Sequence, residues 1–216
     1  MPSPRAILFD LDGTLADSLA DITAALTRAL ADHQLPAPAL ADVRGWVGGG
    51  ARQLVELAVA AAGAAALATP VYMKFQRHYA AAPTTHTALY PGIADVLDRL
   101  AATHRTLAVL TNKPHELTLQ ITDQLLARWP FAVIAGHRPG VPLKPSPEPA
   151  LIVAAELGVP AAACALVGDS PSDLVTAHAA GMIPIAVTWG YRPRAELIAA
   201  QPAQIFDEPA QLVALA

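Results

Sequence analysis

The chain has 216 residues, of which 54% are hydrophobic and 15% are charged. This length allows one sizeable core with a smaller accessory domain, and the composition is typical of a folded chain rather than a disordered one. The formal net charge is −4 and no block of basic residues occurs. Nucleic acid and anionic membrane surfaces are therefore not expected as partners, and nothing in the sequence indicates an oligomeric state.

The apolar segments are too short to act as membrane spans or export signals. The longest, residues 57–68, is mostly alanine and is interrupted by Gly63. A bilayer span takes about 20 residues. Near the amino-terminal end, two aspartates interrupt the first apolar run well before it reaches the length of a secretion signal. We therefore expect a cytoplasmic location.

The first apolar run, residues 6–9, ends at Asp10 and Asp12 and continues into a turn at Gly13. We predict a buried β-strand that delivers both carboxylates to the carboxyl edge of a sheet, where open α/β sheets bind ligands. Two carboxylates so close together repel each other unless a cation or a shared proton stabilises them. The alternative is a strand that ends in two solvated aspartates.

The next segment is predicted to be entirely helical. One helix begins after Leu15, where Asp17 or Ser18 could cap it, and further helical patterns cover residues 39–47, 51–62 and 70–81. We predict that residues 17–82 form a helical cap domain inserted after the first strand. A domain at this position could act as a lid over a site at the strand end.

From residue 83 onward, helices and strands alternate. The predicted helices cover residues 93–102, 116–126, 149–157 and 173–180, and the predicted strands cover residues 106–111, 131–135, 165–168, 183–187 and 204–206. Such alternation implies right-handed crossovers between parallel strands. We therefore predict an α/β fold with a doubly wound, Rossmann-like parallel sheet, formed by residues 1–16 and 83–216.

Polar side chains follow other predicted strands or lie in nearby loops. Thr111 and Asn112 end one strand, Lys144 lies in a proline-rich loop, and Asp169 and Asp173 follow another strand. Singly, each has an ordinary explanation: a helix cap, a solvated cation or an aspartate at a helix N-terminus. Together they supply a hydroxyl, a cation and carboxylates at one edge of the sheet, as phosphoryl transfer requires.

Four segments resemble the motifs of the haloacid dehalogenase superfamily of phosphatases, in order and in spacing. They are Asp10-Leu11-Asp12-Gly13-Thr14, Thr111-Asn112-Lys113, Lys144-Pro145 and Gly168-Asp169-Ser170-Pro171-Ser172-Asp173. The resemblance covers essentially the whole chain, and the helical segment resembles the small cap of the family. Further segments look most like the phosphoglycolate phosphatase branch: Tyr90-Pro91-Gly92, Thr111-Asn112-Lys113-Pro114, Ala179-Ala180-Gly181-Met182 and Val187-Thr188-Trp189-Gly190-Tyr191.

The resemblance implies a role for each matching residue. Asp10 would be the nucleophile that forms an aspartyl-phosphate, and Asp12 would protonate the leaving oxygen and later deprotonate water. Mg²⁺ would be held by the Asp10 carboxylate, the Asp12 main-chain carbonyl and Asp169, with Asp173 in support. The phosphoryl oxygens would be held by Thr111 and Lys144, and Asn112, next to Thr111 in the same motif, is a further candidate for substrate binding.

The predicted cap also contains a candidate specificity loop. Three consecutive glycines, at positions 48–50, precede Arg52 between two predicted helices. Main-chain amides near Gly49 could approach a substrate, and Arg52 could bind a substrate carboxylate, which suits 2-phosphoglycolate. Alternatively the glycines form a flexible turn and Arg52 pairs with Glu56 one helical turn later.

Other functions fit the same core motifs. A phosphatase of a sugar phosphate such as N-acetylmuramate 6-phosphate is compatible with them, as is a phosphosugar mutase that uses the same aspartyl-phosphate. A non-catalytic binding protein that retains the fold is the third alternative, and the complete set of polar residues makes it the least favoured.

Overall fold

A computed structural model describes residues 3–216, so the first two residues of the predicted core domain lie outside the described part of the chain. The strands are β1 Ala6–Phe9, β2 Ala16–Asp17, β3 Ala88–Leu89, β4 Thr106–Pro114, β5 Phe131–His137, β6 Cys164–Gly168, β7 Ile183–Val187 and β8 Gln204–Phe206. The α-helices are α1 Leu19–Ala31, α2 Leu40–Trp46, α3 Ala51–Ala61, α4 Ala68–Ala81, α5 Ile93–Ala101, α6 His115–Leu125, α7 Glu148–Glu156, α8 Pro171–Ala180 and α9 Arg194–Ala199. Short 3₁₀ helices cover Ala65–Leu67, Ala161–Ala163 and Pro209–Leu215.

A six-stranded parallel sheet in the order β5-β4-β1-β6-β7-β8 forms the centre of the fold. The predicted α/β class with a doubly wound parallel sheet is confirmed. Because β1 lies between β4 and β6, the loops that follow these three strands open at one edge of the sheet. The sheet thus brings three distant parts of the sequence to one place.

Both faces of the sheet are covered by helices, as the alternating side chains of β1 require. Ile7 and Phe9 belong to the large apolar cluster that includes residues of α5 and α6. Ala6 and Leu8 point to the opposite face and pack with residues of α7 and α8. All four side chains are fully buried, so β1 is anchored from both sides.

The helices α1 to α4 form one segment between β1 and the remainder of the sheet. Its two ends are joined by a short antiparallel pair, in which Ala16 lies opposite Leu89. Helix α1 buries Ile22, Leu26 and Leu30, which recur at helical spacing along one face. Burial of this face against α4 and the rest of the apolar cluster holds the segment together.

Some elements differ from the sequence prediction. Strand β4 continues to Pro114, beyond its predicted end at Thr111, and its pairing with β5 is irregular between Leu110 and Pro114. The short elements β2, β3 and α9 were not predicted, because two-residue strands show no alternation and α9 buries only Leu197 and so has no apolar stripe. No helix within residues 3–216 is long and apolar enough to cross a membrane.

Candidate active site

Asp10 and Asp169 are neighbours because the strands that precede them are neighbours. Phe9 of β1 is in register with Val167 of β6, and the Asp10 amide donates to the Val167 carbonyl at 2.9 Å. Asp173 lies in the first turn of α8. Its carboxylate accepts hydrogen bonds from the Ser170 amide at 3.1 Å and the Ser170 hydroxyl at 2.6 Å, a capping box that fixes its direction.

The three carboxylates form a compact buried cluster, which we call the carboxylate centre: Asp10, Asp169 and Asp173. One oxygen from each lies within 4.8 Å of the others. The Lys144 ammonium lies 2.5 Å from Asp173 Oδ1 and 3.1 Å from Asp10 Oδ1. One ammonium group therefore faces three carboxylates, and a divalent cation would balance the remaining negative charge.

The electrostatics of the centre follow from this crowding. Burial raises the pKa of Asp10 to about 6, although the Lys144 ammonium opposes the shift. Burial, with the nearby Asp10 and Asp173 carboxylates, raises the pKa of Asp169 to about 8. Burial alone would lower the pKa of Lys144, but Asp10 and Asp173 outweigh it and hold the pKa above its usual range. Lys144 is thus a permanent cation at this position.

Two glycines make room for Asp169. Gly13, at φ +82°, lies so close that an added Cβ would stand 2.3 Å from Asp169 Oδ2. A Cβ on Gly190 would meet both the Asp169 side chain and the Gly13 carbonyl at 2.3 Å. The Tyr191 amide, one residue later, donates to Asp169 Oδ2 at 2.7 Å. The loop after β7 therefore holds Asp169 in place and tolerates no side chain there.

Asn112 connects the carboxylate centre to the helical segment. Its side-chain amide donates to the carbonyls of Lys144 and Gly48, both at 2.9 Å, and its oxygen accepts from the Lys144 amide at 2.8 Å. Thr111, the preceding residue, is buried and lines the same pocket as Asp10. The structure thus brings Thr111, Asn112 and Lys144 together with the aspartates.

Asp12 lies beside the carboxylate centre but has its own partners. Its Oδ1 accepts a hydrogen bond of 2.5 Å from the Ser18 hydroxyl, and the Lys113 ammonium lies 2.9 and 2.8 Å from its two oxygens. Ser18 therefore does not cap α1 with its side chain. Lys113 received no role from the sequence, although it directly follows Thr111 and Asn112 within the motif.

The glycine loop approaches the pocket, but Arg52 does not line it. Gly48 and Gly50 are among the lining residues, whereas Gly49 and Arg52 are not. The Arg52 guanidinium donates to Glu56 at 2.8 Å and to Thr69 at 3.0 Å on the exposed side of α3. This is the pairing that the sequence analysis gave as the alternative to a substrate contact.

The cations that do line the pocket are Lys113 and Arg192. The Arg192 guanidinium donates to the carbonyls of Arg44 and Val47 in the helical segment. Arg44 in return donates to the Gly190 carbonyl at 2.7 Å. Sequence reasoning missed this reciprocal pair, since arginines outside the motifs give no periodic or motif signal.

Buried carboxylates and a fixed lysine thus lie at the carboxyl edge of a doubly wound sheet, where such folds bind ligands, and a carboxylate in this setting can act as a nucleophile in phosphoryl transfer. Comparison with known proteins is consistent with that chemistry. The sequence profile of the haloacid dehalogenase-like hydrolases matches residues 7–187. The chain belongs to this family.

Individual relatives that match nearly the whole chain carry a more specific name than the family. A phosphoglycolate phosphatase of Xanthomonas campestris pv. campestris (strain 8004) is 38% identical over 218 residues, which cover 97% of this chain and 98% of the relative. One from Pseudomonas syringae pv. tomato is 35% identical and covers 97% of this chain and 79% of the relative. The expected membership in a hydrolase family with phosphoglycolate phosphatase-like members is confirmed.

Solved structures agree. A crystal structure described as a predicted phosphoglycolate phosphatase from Haemophilus somnus superposes with a TM-score of 0.92 at 30% identity, covering 100% of this chain and 99% of that one. The structure of CbbY from Rhodobacter sphaeroides in complex with phosphate superposes with a TM-score of 0.79 at 25% identity, covering 97% of this chain and 96% of that one.

Proposed function

We propose that this hydrolase is a Mg²⁺-dependent phosphatase that acts on a small phosphomonoester, 2-phosphoglycolate, through an aspartyl-phosphate on Asp10. The observation that carries the proposal is the carboxylate centre with the Lys144 ammonium between Asp10 and Asp173. Such a site offers a nucleophile at the pocket and, in contact with it, a fixed positive charge for the phosphoryl oxygens.

The donor set fits the proposed metal. Mg²⁺ prefers hard oxygen ligands and usually keeps several waters, so a few carboxylates suffice. Asp10 and Asp169 would supply carboxylate oxygens, with Asp173 in support, and the Asp12 main-chain carbonyl remains a proposed ligand. When bound, the cation would reduce the repulsion between the nucleophile and the phosphoryl group.

The proposed reaction has two steps. In the first, an Asp10 oxygen attacks phosphorus, the bond to the leaving oxygen breaks, and Asp12 gives that oxygen a proton. In the second, a water oxygen attacks phosphorus, Asp12 takes a proton from the water, and the bond to Asp10 breaks. Lys144 and the Thr111 hydroxyl bind the equatorial phosphoryl oxygens in both steps, where charge accumulates.

We further propose that residues 17–82 act as a cap over the core formed by residues 1–16 and 83–216. Gly48, Leu54 and Phe75 of the helical segment line the same pocket as Asp10, which supports this division. A pocket enclosed between the two parts would exclude water during the first step. The names of the relatives support a small phosphorylated hydroxy acid as the substrate that binds in this pocket.

A phosphate-release screen tests the substrate. The purified chain is assayed with 2-phosphoglycolate, N-acetylmuramate 6-phosphate, ethyl phosphate and pyrophosphate, each with Mg²⁺ and with excess chelator. We expect the highest kcat/KM for 2-phosphoglycolate and no activity in chelator. A preference for the sugar phosphate would contradict the substrate while leaving the core mechanism in place, and isomerised sugar phosphate without phosphate release would indicate a mutase.

A further inference from the structure

We propose that Lys113 is a positioning residue for Asp12, and that Tyr79 makes this positioning depend on the helical segment. The inference rests on the proposed two-step mechanism, and it concerns residues to which the motif resemblance assigns no role. Lys113 follows Thr111 and Asn112 on β4, whereas Tyr79 lies on α4, so the contact joins the sheet to the segment inserted after β1.

The contacts use every donor of the ammonium group. Lys113 Nζ lies 2.9 and 2.8 Å from the two Asp12 oxygens and donates to the Tyr79 hydroxyl at 2.7 Å. It also lies 4.6 Å from the centroid of the Tyr79 ring, within the range of a cation–π interaction. An ammonium group has three N–H donors, and three oxygen atoms of Asp12 and Tyr79 surround this one. This geometry favours positioning over substrate binding.

Asp12 also has a second support. The Ser18 hydroxyl donates to Asp12 Oδ1 at 2.5 Å, and the Ser18 amide donates to the Tyr191 hydroxyl at 3.0 Å. The carboxylate is therefore fixed between Lys113 and Ser18, with little freedom to rotate. A general acid or base is effective only within hydrogen-bond reach of the proton it transfers, so loss of one support should slow catalysis.

Tyr79 gives the helical segment a part in this arrangement. Its side chain is buried on α4 beside Phe75, with ring centroids 5.6 Å apart. The contact to Lys113 exists because α4 lies over the ends of the strands. Lys113, and through it Asp12, is thus held in place only when the helical segment occupies this position.

The two chemical steps need Asp12 to different degrees, and this difference allows a test. p-Nitrophenolate leaves without a proton, so with p-nitrophenyl phosphate the first step does not depend on Asp12. The second step needs Asp12 for every substrate, because water must lose a proton. If Asp12 is mispositioned, p-nitrophenyl phosphate should react once with Asp10 and then stall.

The experiment compares pre-steady-state kinetics of wild type, Lys113→Met, Asp12→Asn and Asp10→Asn at saturating Mg²⁺. Methionine keeps most of the side-chain volume of lysine. For Lys113→Met we expect a burst of about one p-nitrophenolate per enzyme, because phosphorylated Asp10 accumulates. The following steady state should be slower than wild type by on the order of 10²-fold in kcat, with KM little changed. Asp12→Asn should give the same pattern.

Tyr79→Phe supplies a second test, which remains available if Lys113→Met does not fold. It keeps the ring and removes only the hydroxyl, so we expect the same burst and a loss of kcat on the order of 10-fold. Asp10→Asn separates the two proposals: a burst in this variant would contradict the aspartyl-phosphate mechanism itself, whatever the Lys113 variants do.

Two outcomes would overturn the role of Lys113. If Lys113→Met turns over p-nitrophenyl phosphate at the wild-type rate and only its KM for 2-phosphoglycolate rises, Lys113 binds the substrate carboxylate. If both substrates lose activity equally without a burst while Asp12→Asn shows one, Lys113 serves only the fold.

Discussion

The two halves of the pocket are built differently. The strand ends and the segments that follow them supply the carboxylate centre and Lys144, each buried and held by main-chain or side-chain partners. The helical segment supplies apolar side chains such as Leu54 and Phe75 and the main chain of the glycine loop. The chemistry is thus concentrated on the rigid sheet, while the inserted helices determine the shape of the pocket.

Specific polar contacts join the two halves. Asn112 donates a hydrogen bond to the Gly48 carbonyl, and Arg44 donates one to the Gly190 carbonyl. Lys113 donates one to the Tyr79 hydroxyl. The comparison implies that substitutions near the strand ends abolish catalytic activity, and that substitutions on the exposed faces of helices α1 to α4 change it little. The following experiments test this division, from the largest expected effect to the smallest.

Asp10→Asn should reduce phosphate release to background, because the amide keeps the shape of the side chain but is not a nucleophile. Activity is measured with 2-phosphoglycolate at saturating Mg²⁺, and acid-quenched enzyme is examined for an acyl-phosphate. The control is Asp95→Asn, which changes an exposed aspartate on α5. Substantial turnover by Asp10→Asn would show that the strand-end half does not supply the nucleophile.

Lys144→Met should lower kcat by on the order of 10²- to 10³-fold, because the fixed charge on the phosphoryl oxygens is removed. It should also lower the free energy of unfolding by about 3 kcal/mol, since Asp10 and Asp173 lose a buried partner. The matched control, Lys74→Met, removes an exposed lysine paired with Asp32 and should do neither. A variant with normal kcat at high Mg²⁺ and only weaker metal dependence would mean that Lys144 serves the metal site instead.

Asp169→Asn should raise the Mg²⁺ concentration for half-maximal rate by at least about 10-fold, since a charged oxygen ligand becomes neutral. The measurement is a Mg²⁺ titration of the rate, with direct calorimetric titration of Mg²⁺ as a readout independent of activity. Undiminished activity of the wild type in excess chelator would refute the metal requirement altogether.

The metal-free protein should lose stability as the pH rises. Burial raises the pKa of Asp10 to about 6 and that of Asp169 to about 8, so the folded chain binds these protons more tightly than the unfolded chain. Their contribution is fully present below the ordinary aspartate pKa of about 4 and is lost as the pH rises through the raised values. In chelator, the urea midpoint should therefore fall between pH 5 and pH 8 more steeply for wild type than for Asp169→Asn.

Saturating Mg²⁺ should remove most of that loss, because the cation replaces the protons between the carboxylates. A midpoint that falls equally in Mg²⁺ and in chelator would contradict a cation site at the carboxylate centre.

Arg52→Ala should have the smallest effect. Its partners Glu56 and Thr69 lie on the exposed surface, where an ion pair contributes at most about 1 kcal/mol. We expect kcat/KM for 2-phosphoglycolate to change less than about threefold, and Arg192→Ala, which removes a pocket cation, to change it more. A loss on the order of 10- to 100-fold for Arg52→Ala, confined to substrates with a carboxylate, would instead favour Arg52 as the specificity residue.

Much of the fold could be predicted from local pattern. The apolar run of residues 6–9, the helical periodicity up to Ala81 and the later alternation predicted each long element within a few residues of its observed bounds. These signals are local because burial imposes a period of two or 3.6 on consecutive side chains. Asp10, Asp12 and Asp169 could be singled out for a similar reason, since a charged residue that follows a buried strand breaks the apolar pattern. Lys144 and Asp173 lie in a loop and at the start of a helix, and their match to the family motifs singled them out.

What only the tertiary structure decided is which side chains face each other. Lys113 contacts Tyr79 and Asp12, which lie 34 and 101 residues away in sequence, and no local pattern marks such a pair. Arg52 and Arg192 likewise look alike in sequence, yet one lies on the outer face of a helix and the other lines the pocket. The sequence determined the strand ends and their charges, because local burial selects them. The packing of the inserted helices on the sheet decided the partners of those charges, because it depends on contacts between distant segments.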